Sequence, residues 1–358
     1  MKEVQKGSKH LMKFSENRSK MKEQHELCII FSIERILFMF FQTLNKVLLK
    51  LMPIITPTSV IIGIVFSESL QPFIFLVPWI FAFMTFSGSL QSKFADIKSV
   101  VHFARPLLTC LIVLHLLMPF IAYGIGKIAF QNDHYTIIGL VLAFLIPTGV
   151  SSLIWVSIYK GNVILTISII VLDSFLSPFI VPAVLQLLFG TTVHMDAFEI
   201  MEGLIWMIVL PSILGMVLNE TTKGKINETL APIFAPVSKL CLGAVVGLNG
   251  AAIAPYFHEL NGKLLFISVV VFVLACSGYL VSWVISSMLK EEAGIKIALI
   301  FNGGMRNISA GAVIAITYFP APVAIPVIIG MLFQQILASL TGNFIARPIS
   351  KRVKEMSA

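Results

Sequence analysis

Two charged residues lie near the middle of long apolar segments, where a charge is costly. The chain has 26 basic and 18 acidic residues, and nearly all except Asp173 and Arg306 fall towards the ends of these segments or between them. A lone charge at the centre of a bilayer costs roughly 2.5–3.5 kcal/mol on insertion scales. Because an acid and a base offset that cost by pairing, we expect Asp173 and Arg306 to form an ion pair beside a polar cavity.

His115, in another apolar segment, is the third ionisable candidate. Histidine is the side chain whose ordinary pKa lies close to neutral pH, so a buried histidine is suited to carrying a proton. The alternative is an interior histidine whose hydrogen bonds are all made by neighbouring groups. The residue type and its place in the sequence leave both interpretations open.

Two apolar segments are interrupted by polar and small residues. Segment 147–152 reads PTGVSS, and segment 302–307 reads NGGMRN. Broken helices in corresponding places of two halves are the best sequence indication of a binding site near the bilayer midplane. The alternative is two tight helix-packing points of small residues. Asn302, Arg306 and Asn307 count against that alternative, because packing alone needs no charge.

The elements that must position these residues are membrane-spanning helices. The chain is 57% hydrophobic and 12% charged, half the charge of an average soluble domain. Its apolar runs approach the ~20 residues that cross a bilayer, and they show no period-two alternation, which favours helices over a barrel. We predict ten spans at 52–67, 71–90, 105–125, 136–158, 163–189, 201–218, 234–256, 264–289, 294–318 and 321–344.

Ten spans divide into two sets of five, 52–189 and 190–345. An odd number of helices in each half makes the second half enter the membrane from the opposite side, which is the geometry of an inverted repeat. The predicted fold is therefore an all-α polytopic membrane protein of ten transmembrane helices in two inverted repeats, in which helices four and nine are broken. A basic tail (1–32), an amphipathic interfacial helix (33–51) and a basic C-terminal tail (346–358) complete the chain.

The distribution of positive charge predicts the orientation. Lys and Arg concentrate in both tails and in the loops on the same side, whereas only Lys127 and Lys263 fall on the other side. Positive residues resist translocation, so both termini are expected on the cytoplasmic side of the cell membrane. The net charge of +8 is therefore assigned to topology and anionic-lipid contact, and no nucleic-acid partner is expected.

Signatures of enzymes and of metal sites are absent from the sequence. It contains no HExxH, no GxSxG and no Walker-type phosphate loop. The four cysteines lie far apart, without zinc-site spacing. The sequence therefore predicts neither an enzyme nor a metal centre, and no organic cofactor.

Several motifs resemble those of the bile acid:sodium symporter family. Segment 147–162 reads PTGVSSLIWVSIYKGN and is followed by LSP at 176–178, GMRN stands at 304–307, and FMTFSGSL stands at 83–90. The resemblance covers about residues 45–345. It implies a core domain and a panel domain, with helices four and nine crossing in the core. It also implies alternating-access transport of organic anions, bile acids or small carboxylates, driven in typical members by two sodium ions.

The residues at the family's sodium-ligand positions depart from its pattern. These are Ser152 and Leu153 in helix four, Thr166 and Ile170 in helix five, Asn302 and Arg306 in helix nine, and Leu114, beside His115, in helix three. The shared glutamate has become Asn302 and its glutamine companion Arg306. Sodium is a hard cation that prefers several oxygen ligands, so this set predicts weak or no binding. We expect a sodium-independent member in which the Arg306 guanidinium, with Asp173, stands in for the ion.

The resemblance also indicates a substrate site. Asn307 matches an asparagine that contacts substrate in the family, and Gln334 and Gln335 match a His-Asn pair that lines the cavity. Thr148 and Ser151, in the helix-four break, complete the expected set. Arg306 has a second interpretation, as a direct bidentate ligand of a substrate carboxylate.

The leading prediction is a monomeric secondary transporter of a small or amphipathic organic anion. Sodium or proton coupling remains an alternative, the proton being carried by Asp173 or His115. Arsenite efflux is a second alternative, although the cysteine expected in helix four is absent between Ile137 and Tyr159. A membrane sensor that has lost its transport cycle is the third, and it is disfavoured by the polar residues kept in both breaks.

Overall fold

The computed structural model describes residues 37–52, 54–93, 103–131, 133–190, 195–257 and 262–350, apart from the side chain of Gln335. Within these ranges every regular element is helical. Seven helical segments are long and apolar enough to cross a membrane, and a bent pair near the start makes an eighth. The predicted polytopic helical class is therefore confirmed, whereas the basic tail 1–32 lies outside the described residues.

The helices are named here in chain order. They are α1 (Leu37–Met52), α2 (Ile54–Val65), α3 (Ser67–Ser89), α4 (Ala104–Phe130), α5 (His134–Leu145), α6 (Ser152–Ile158), α7 (Val163–Phe189), α8 (Ala197–Thr221), α9 (Lys225–Thr229), α10 (Ala231–Phe257), α11 (Gly262–Met288), α12 (Ala293–Gly304), α13 (Ile308–Tyr318) and α14 (Ala321–Ser350).

Polar caps begin three of these helices. The side chains of Asp133, Asn162 and Asp196 precede α5, α7 and α8 and accept hydrogen bonds from backbone N–H groups of the first turn at 2.9–3.1 Å. The first N–H groups of a helix have no partner within it, so a carboxylate or amide oxygen there stabilises the helix end. The starts of these helices are thus encoded locally in the sequence.

Bends and wide turns shape several helices. The helices α1 and α2 meet at an angle of 72°, where the sequence predicts an interfacial helix running into the first span. Single π turns occur at Val113–Leu117, Ile205–Val209 and Gly342–Ala346. Such turns occur often at functional sites because they redirect the side chains they carry. The first of them carries His115.

The last helix is longer than predicted. The second repeat was expected to end at residue 345, with a tail over 346–358. Instead α14 continues through the π turn at Gly342–Ala346 as far as Ser350, and residues 351–358 lie outside the described part of the chain. Because a π turn keeps the backbone hydrogen-bonded, it prolongs the helix past the small residues where an end was expected.

The long helices pack in two groups. In one group α3 contacts α8 and α10, and α2 packs on α10 so closely that a Cβ added to Gly63 would lie 2.0 Å from the Gly247 carbonyl oxygen. In the other group α4 contacts α5, α11 contacts α12 and α14, and α7 contacts α6 and α12. Small residues allow such close helix packing in membranes. The second group contains both interrupted helix pairs.

Candidate functional site

Two broken helices meet in the interior of the second group. Helix α5 ends at Leu145 and its continuation α6 begins at Ser152, while α12 ends at Gly304 and α13 begins at Ile308. These interruptions coincide with the two polar and glycine-rich segments of the sequence. The predicted breaks in both helices are therefore present.

The two breaks pair with each other as short antiparallel extended segments. Thr148 and Arg306 form an isolated antiparallel bridge. The Asn307 N–H donates to the Pro147 carbonyl oxygen at 2.8 Å, and the Gly149 N–H donates to the Met305 carbonyl oxygen at 3.4 Å. Backbone groups freed by the breaks must find partners inside a membrane, and the crossing supplies them.

Gly149 permits this close crossing. A Cβ on Gly149 would lie 2.8 Å from the Arg306 carbonyl oxygen and 3.1 Å from its carbonyl carbon. Both contacts are with backbone, which cannot rotate away as a side chain would. A side chain at this position would therefore push the two segments apart.

The Arg306 side chain is 2% exposed and joins the ends of both half-helices. Its Nε donates to the Phe144 carbonyl oxygen at 3.1 Å, and its Nη1 donates to the Gly303 carbonyl oxygen at 2.8 Å. These carbonyls belong to the last turns of α5 and α12, where carbonyl groups lack helical partners and carry a partial negative charge. The guanidinium therefore neutralises two helix C-termini at once. Nη2 has no hydrogen-bond partner among the described residues.

Asp173 is fully buried on α7 and hydrogen-bonds to two other elements. One carboxylate oxygen is hydrogen-bonded to Nε2 of His115, and the other accepts the Thr148 N–H at 2.6 Å. His115 stands on the π turn of α4 and is itself buried. Asp173 thus connects the crossing to a histidine on a third helix.

The expected direct ion pair between Arg306 and Asp173 is wrong. No salt bridge within 4.0 Å joins the two groups among the described residues. Both Asp173 oxygens are taken by His115 and Thr148, and two arms of the guanidinium are taken by backbone carbonyls. Backbone groups at the crossing therefore intervene between the two charges.

Asn302 is the centre of a second, uncharged network. Its amide group donates to the Thr166 hydroxyl at 3.1 Å and to the Ala298 carbonyl oxygen at 2.8 Å. Its side-chain oxygen accepts the Ser152 hydroxyl at 2.9 Å. The Thr148 hydroxyl donates to the Asn302 backbone carbonyl at 2.9 Å. The side chains of Asn302, Ser152 and Thr166 are fully buried, so their hydrogen bonds are made to one another rather than to water.

The remaining predicted site residues lie around the crossing with different roles. The Asn307 side chain caps α13 by accepting the Ala310 N–H at 3.4 Å. Gln334 accepts the Arg306 backbone N–H through Oε1 at 3.3 Å. Ser151 is half-buried and ends the first break. The side chain of Gln335 lies outside the described part.

Some components of the site were not found from the sequence. The Phe144 and Gly303 carbonyls are backbone groups, and no residue type marks them. A stack of aromatic rings beside the crossing was also missed: Trp155 lies 6.4 Å from Tyr159 and 6.2 Å from Phe301 between ring centroids, with interplanar angles of 9° and 14°. The spacing of Trp155 and Tyr159, four residues apart, was the available signal.

The structure combines membrane-length helices with two broken helices that cross, and charged side chains lie at the crossing. This combination defines a secondary transporter. The chain matches the SBF-like CPA transporter family (DUF4137) over residues 74–351 and belongs to that family. The predicted resemblance to bile acid:sodium symporters is thereby confirmed, and the protein is a multi-pass membrane transporter rather than an enzyme.

Curated relatives agree with this assignment. The chain is 50% identical to the uncharacterized protein YbaS of Bacillus subtilis (strain 168) over 296 residues, which is 83% of this chain and 97% of that protein. It is 22% identical to the uncharacterized sodium-dependent transporter YocS of the same organism, over 79% of this chain and 88% of YocS. It is 23% identical to the probable sodium/metabolite cotransporter BASS1 of Arabidopsis thaliana, over 73% of this chain and 64% of BASS1.

Proposed function

We propose that the protein carries a small or amphipathic organic anion across the cell membrane by alternating access, without sodium. The anion binds beside the crossing of the broken helices. The permanent charge of Arg306 takes the electrostatic place that a metal cation holds in typical relatives. The observation that supports this proposal most directly is the contact of one guanidinium with the C-terminal carbonyls of both half-helices.

Ten spans in two inverted five-helix repeats are part of the proposal. That number is reached by counting seven long helices, the bent pair α1–α2 and the two broken pairs, with each pair counted as one membrane span. The antiparallel bridge between Thr148 and Arg306 supports the inversion. A two-fold axis in the membrane plane makes equivalent segments run in opposite directions, as these two segments do.

The hydrogen bonding of Asn302 argues against a bound sodium ion. Sodium needs oxygen lone pairs directed at it, preferably with a carboxylate among them. Here the Thr166 hydroxyl and the Ala298 carbonyl accept hydrogens from the Asn302 amide, and the amide oxygen accepts the Ser152 hydroxyl. Amide hydrogens thus point at the oxygens that a cation would require. These residues do not fit a sodium site.

The free arm of Arg306 supports an anionic substrate. Nη2 is buried and has no partner among the described residues, while the other two nitrogens are occupied. A buried guanidinium N–H without an acceptor is unfavourable, and a carboxylate oxygen there would satisfy it with a charge-assisted hydrogen bond. The relative BASS1 is named as a probable sodium/metabolite cotransporter and YocS as a sodium-dependent transporter. A metabolite as cargo agrees with this class of substrate, whereas sodium independence is proposed for this chain from its own residues.

Uptake of labelled pyruvate, pantothenate and taurocholate into proteoliposomes tests the function. We expect uptake of at least one probe, unchanged when choline replaces sodium and lost in Arg306→Ala. Uptake that depends strongly on sodium would contradict the role of Arg306. Binding of a probe without flux would instead identify a sensor.

A second experiment restores the family's residues at the ion site. The double variant Asn302→Glu with Arg306→Gln removes the fixed cation and supplies a carboxylate. We expect sodium chloride, but not choline chloride, to raise the Tm of the double variant and leave that of the wild type unchanged, because a ligand that binds the native state stabilises it. An equal response of both proteins to sodium would contradict the substitution of guanidinium for metal ion.

A further inference from the structure

His115 and Asp173 form a buried ionisable pair that anion binding at Arg306 does not itself require. Both side chains are at least nine-tenths buried, and they come from different helices, α4 and α7. The contact joins Nε2 of His115 to one oxygen of Asp173. The other ring nitrogen of His115, Nδ1, is buried without a hydrogen-bond partner among the described residues.

Building on the proposed function, we propose that the His115–Asp173 pair is a proton-binding site, and that one proton is carried together with each monovalent organic anion. The proton enters from the water on the substrate side and is held by the pair during the crossing. It is released to water on the opposite side together with the anion. No other ion is needed.

Charge balance in the buried site supports this stoichiometry. Among the described residues, the side chains there that are charged or titrate are Arg306, Asp173, His115, Cys110, Tyr279 and Cys276. With the thiols, the phenol and the imidazole neutral, the guanidinium and the carboxylate cancel. An entering carboxylate adds one negative charge in a medium of low dielectric constant, which is costly unless it is compensated. One proton on the His115–Asp173 pair restores neutrality.

The pair is also connected to the crossing of the two broken helices. The second oxygen of Asp173 accepts the Thr148 N–H at 2.6 Å, and Thr148 is the residue of the first break that bridges to Arg306. A hydrogen bond to a charged carboxylate is about twice as strong as one to a neutral group. An imidazolium on His115 offsets the charge of the Asp173 carboxylate and so weakens its attraction for the Thr148 N–H, whereas loss of the proton strengthens that attraction. Proton binding and the geometry of the crossing are thus linked.

The unpartnered Nδ1 can take up a proton without breaking an existing hydrogen bond. In a neutral ring bonded through Nε2–H, Nδ1 is a buried acceptor without a donor. An added proton turns Nδ1 into a donor, and the positive charge is stabilised by the adjacent carboxylate. A structural histidine would be expected to have both nitrogens bonded.

Proton binding is tested directly, and without a substrate, on the full chain in lipid nanodiscs. Infrared difference spectra between about pH 5 and pH 8 record the titration of histidine and carboxyl groups in this range. We expect a titrating signal in the wild type that both Asp173→Asn and His115→Gln abolish. The matched control is His134→Gln at the start of α5, away from the crossing, which should keep that signal. A spectrum from which neither variant removes a band would overturn the proposal.

Transport tests the coupling in the same lipids without sodium. Taurocholate is the main probe because its sulfonate stays ionised in this range and does not cross passively as a neutral acid. For electroneutral cotransport of one proton with one monovalent anion, the limiting accumulation is about tenfold per pH unit and is insensitive to membrane potential. We expect His115→Gln to flatten the pH profile and His134→Gln to retain it.

The outcomes separate the two proposals. Flux that Arg306→Ala abolishes, but that is equal with and without a pH gradient, would overturn proton coupling and leave anion transport intact. Absence of flux for taurocholate, pyruvate and pantothenate would count against the proposed function. The infrared titration alone would then decide whether the His115–Asp173 pair binds a proton.

Discussion

Arg306 and Arg105 donate to backbone carbonyls in different environments. Arg306 is buried and bonds to carbonyls at 2.8 and 3.1 Å. Arg105 has a side chain 65% exposed, donates to the Leu289 carbonyl at 3.3 Å and lies 3.7 Å from Glu291. When an exposed arginine is removed, water takes over the hydrogen bonds that it made. When a buried arginine is removed, water does not reach the carbonyl groups that it leaves behind. Comparing the two residues therefore measures how much burial adds to the contribution that these hydrogen bonds make to the free energy of unfolding.

We expect Arg306→Ala to lower the free energy of unfolding by about 2–5 kcal/mol, since two buried carbonyls lose their donors. Arg105→Ala should cost less than about 1 kcal/mol. Arg306→Lys should fall between wild type and Arg306→Ala, because it keeps the charge but loses the planar fork that reaches both half-helices. Denaturant unfolding of the purified protein measures all three. Equal losses for Arg306→Ala and Arg105→Ala would show that the hydrogen bonds from Arg306 to the two helix C-termini contribute little to stability.

The residue scale also shows the limit of sequence reasoning about the site. Asp173, Arg306 and His115 were recognisable because a charge or an imidazole inside an apolar run is costly. Which of these side chains contact one another could not be predicted, because that depends on how the two broken segments fold. The backbone N–H of Thr148 takes one oxygen of Asp173, and a backbone group carries no signature in the residue types.

At the scale of elements, the crossing depends on the absence of a side chain at Gly149. We expect Gly149→Ala to lower the free energy of unfolding by about 1–3 kcal/mol and to abolish flux, because its Cβ would meet the Arg306 backbone. The matched control is Gly124→Ala in α4, where an added Cβ has no atom within 4 Å. That change should be neutral or stabilise by up to about 1 kcal/mol through better helix propensity. Wild-type stability and flux in Gly149→Ala would contradict the close approach.

A surface contact ties the start of α5 to α11. Lys263 Nζ lies 2.7 Å from the Asp133 carboxylate, which also caps α5. Partial burial acts to raise the pKa of Asp133, but hydrogen bonds from Lys263 and Thr136 and the charge of Lys263 outweigh it. The pKa therefore lies below its ordinary value. A carboxyl with a lowered pKa contributes stability above its unfolded-state pKa and loses it as pH falls through the native value.

We expect Asp133→Asn to cost less than about 1 kcal/mol at neutral pH, since the pair is partly exposed and asparagine keeps the cap. The difference from wild type should disappear in acid, once the pH has fallen below the lowered native pKa of Asp133. Unfolding free energies measured along a pH series check this. A difference that persists unchanged in strong acid would mean that packing, not charge, accounts for it.

The two interrupted helices were predictable as elements, although their contact was not. Proline and glycine at 147 and 149 and two glycines at 303–304 remove side chains or N–H groups that a continuous helix needs, so the breaks are local events. The bridge between Thr148 and Arg306 joins residues far apart in the sequence. It depends on packing of the whole second group, which no local pattern encodes.

At the scale of the whole molecule, the positive-inside pattern makes a prediction about orientation. In a chain with its four cysteines replaced by serine, Gln131→Cys should react with a membrane-impermeant maleimide in intact cells. Lys223→Cys should react only after the cells are opened. Both positions are exposed and lie between membrane helices. The reverse labelling pattern would place the termini outside, and labelling of both would mean that a span has been miscounted.

The helical class and the transporter family followed from composition and from motifs around the two breaks, because apolar length and broken helices are properties of single segments. The packing of α3 against α8 and α10 did not follow. Close contacts such as that of Gly63 with Gly247 depend on matching small residues on separate helices. From the sequence alone, many other glycines could equally have formed such a close contact between helices.

The stack of Trp155 with Tyr159 and Phe301 provides the protein with an intrinsic fluorescence probe. Trp155 and Tyr159 belong to the continuation of one broken helix, whereas Phe301 belongs to the other, so the stacking geometry changes whenever the two half-helices separate. The other tryptophans, Trp79, Trp206 and Trp283, have exposed rings. Replacing these three with phenylalanine leaves Trp155 as the single tryptophan, whose fluorescence would report any separation of the two half-helices during transport.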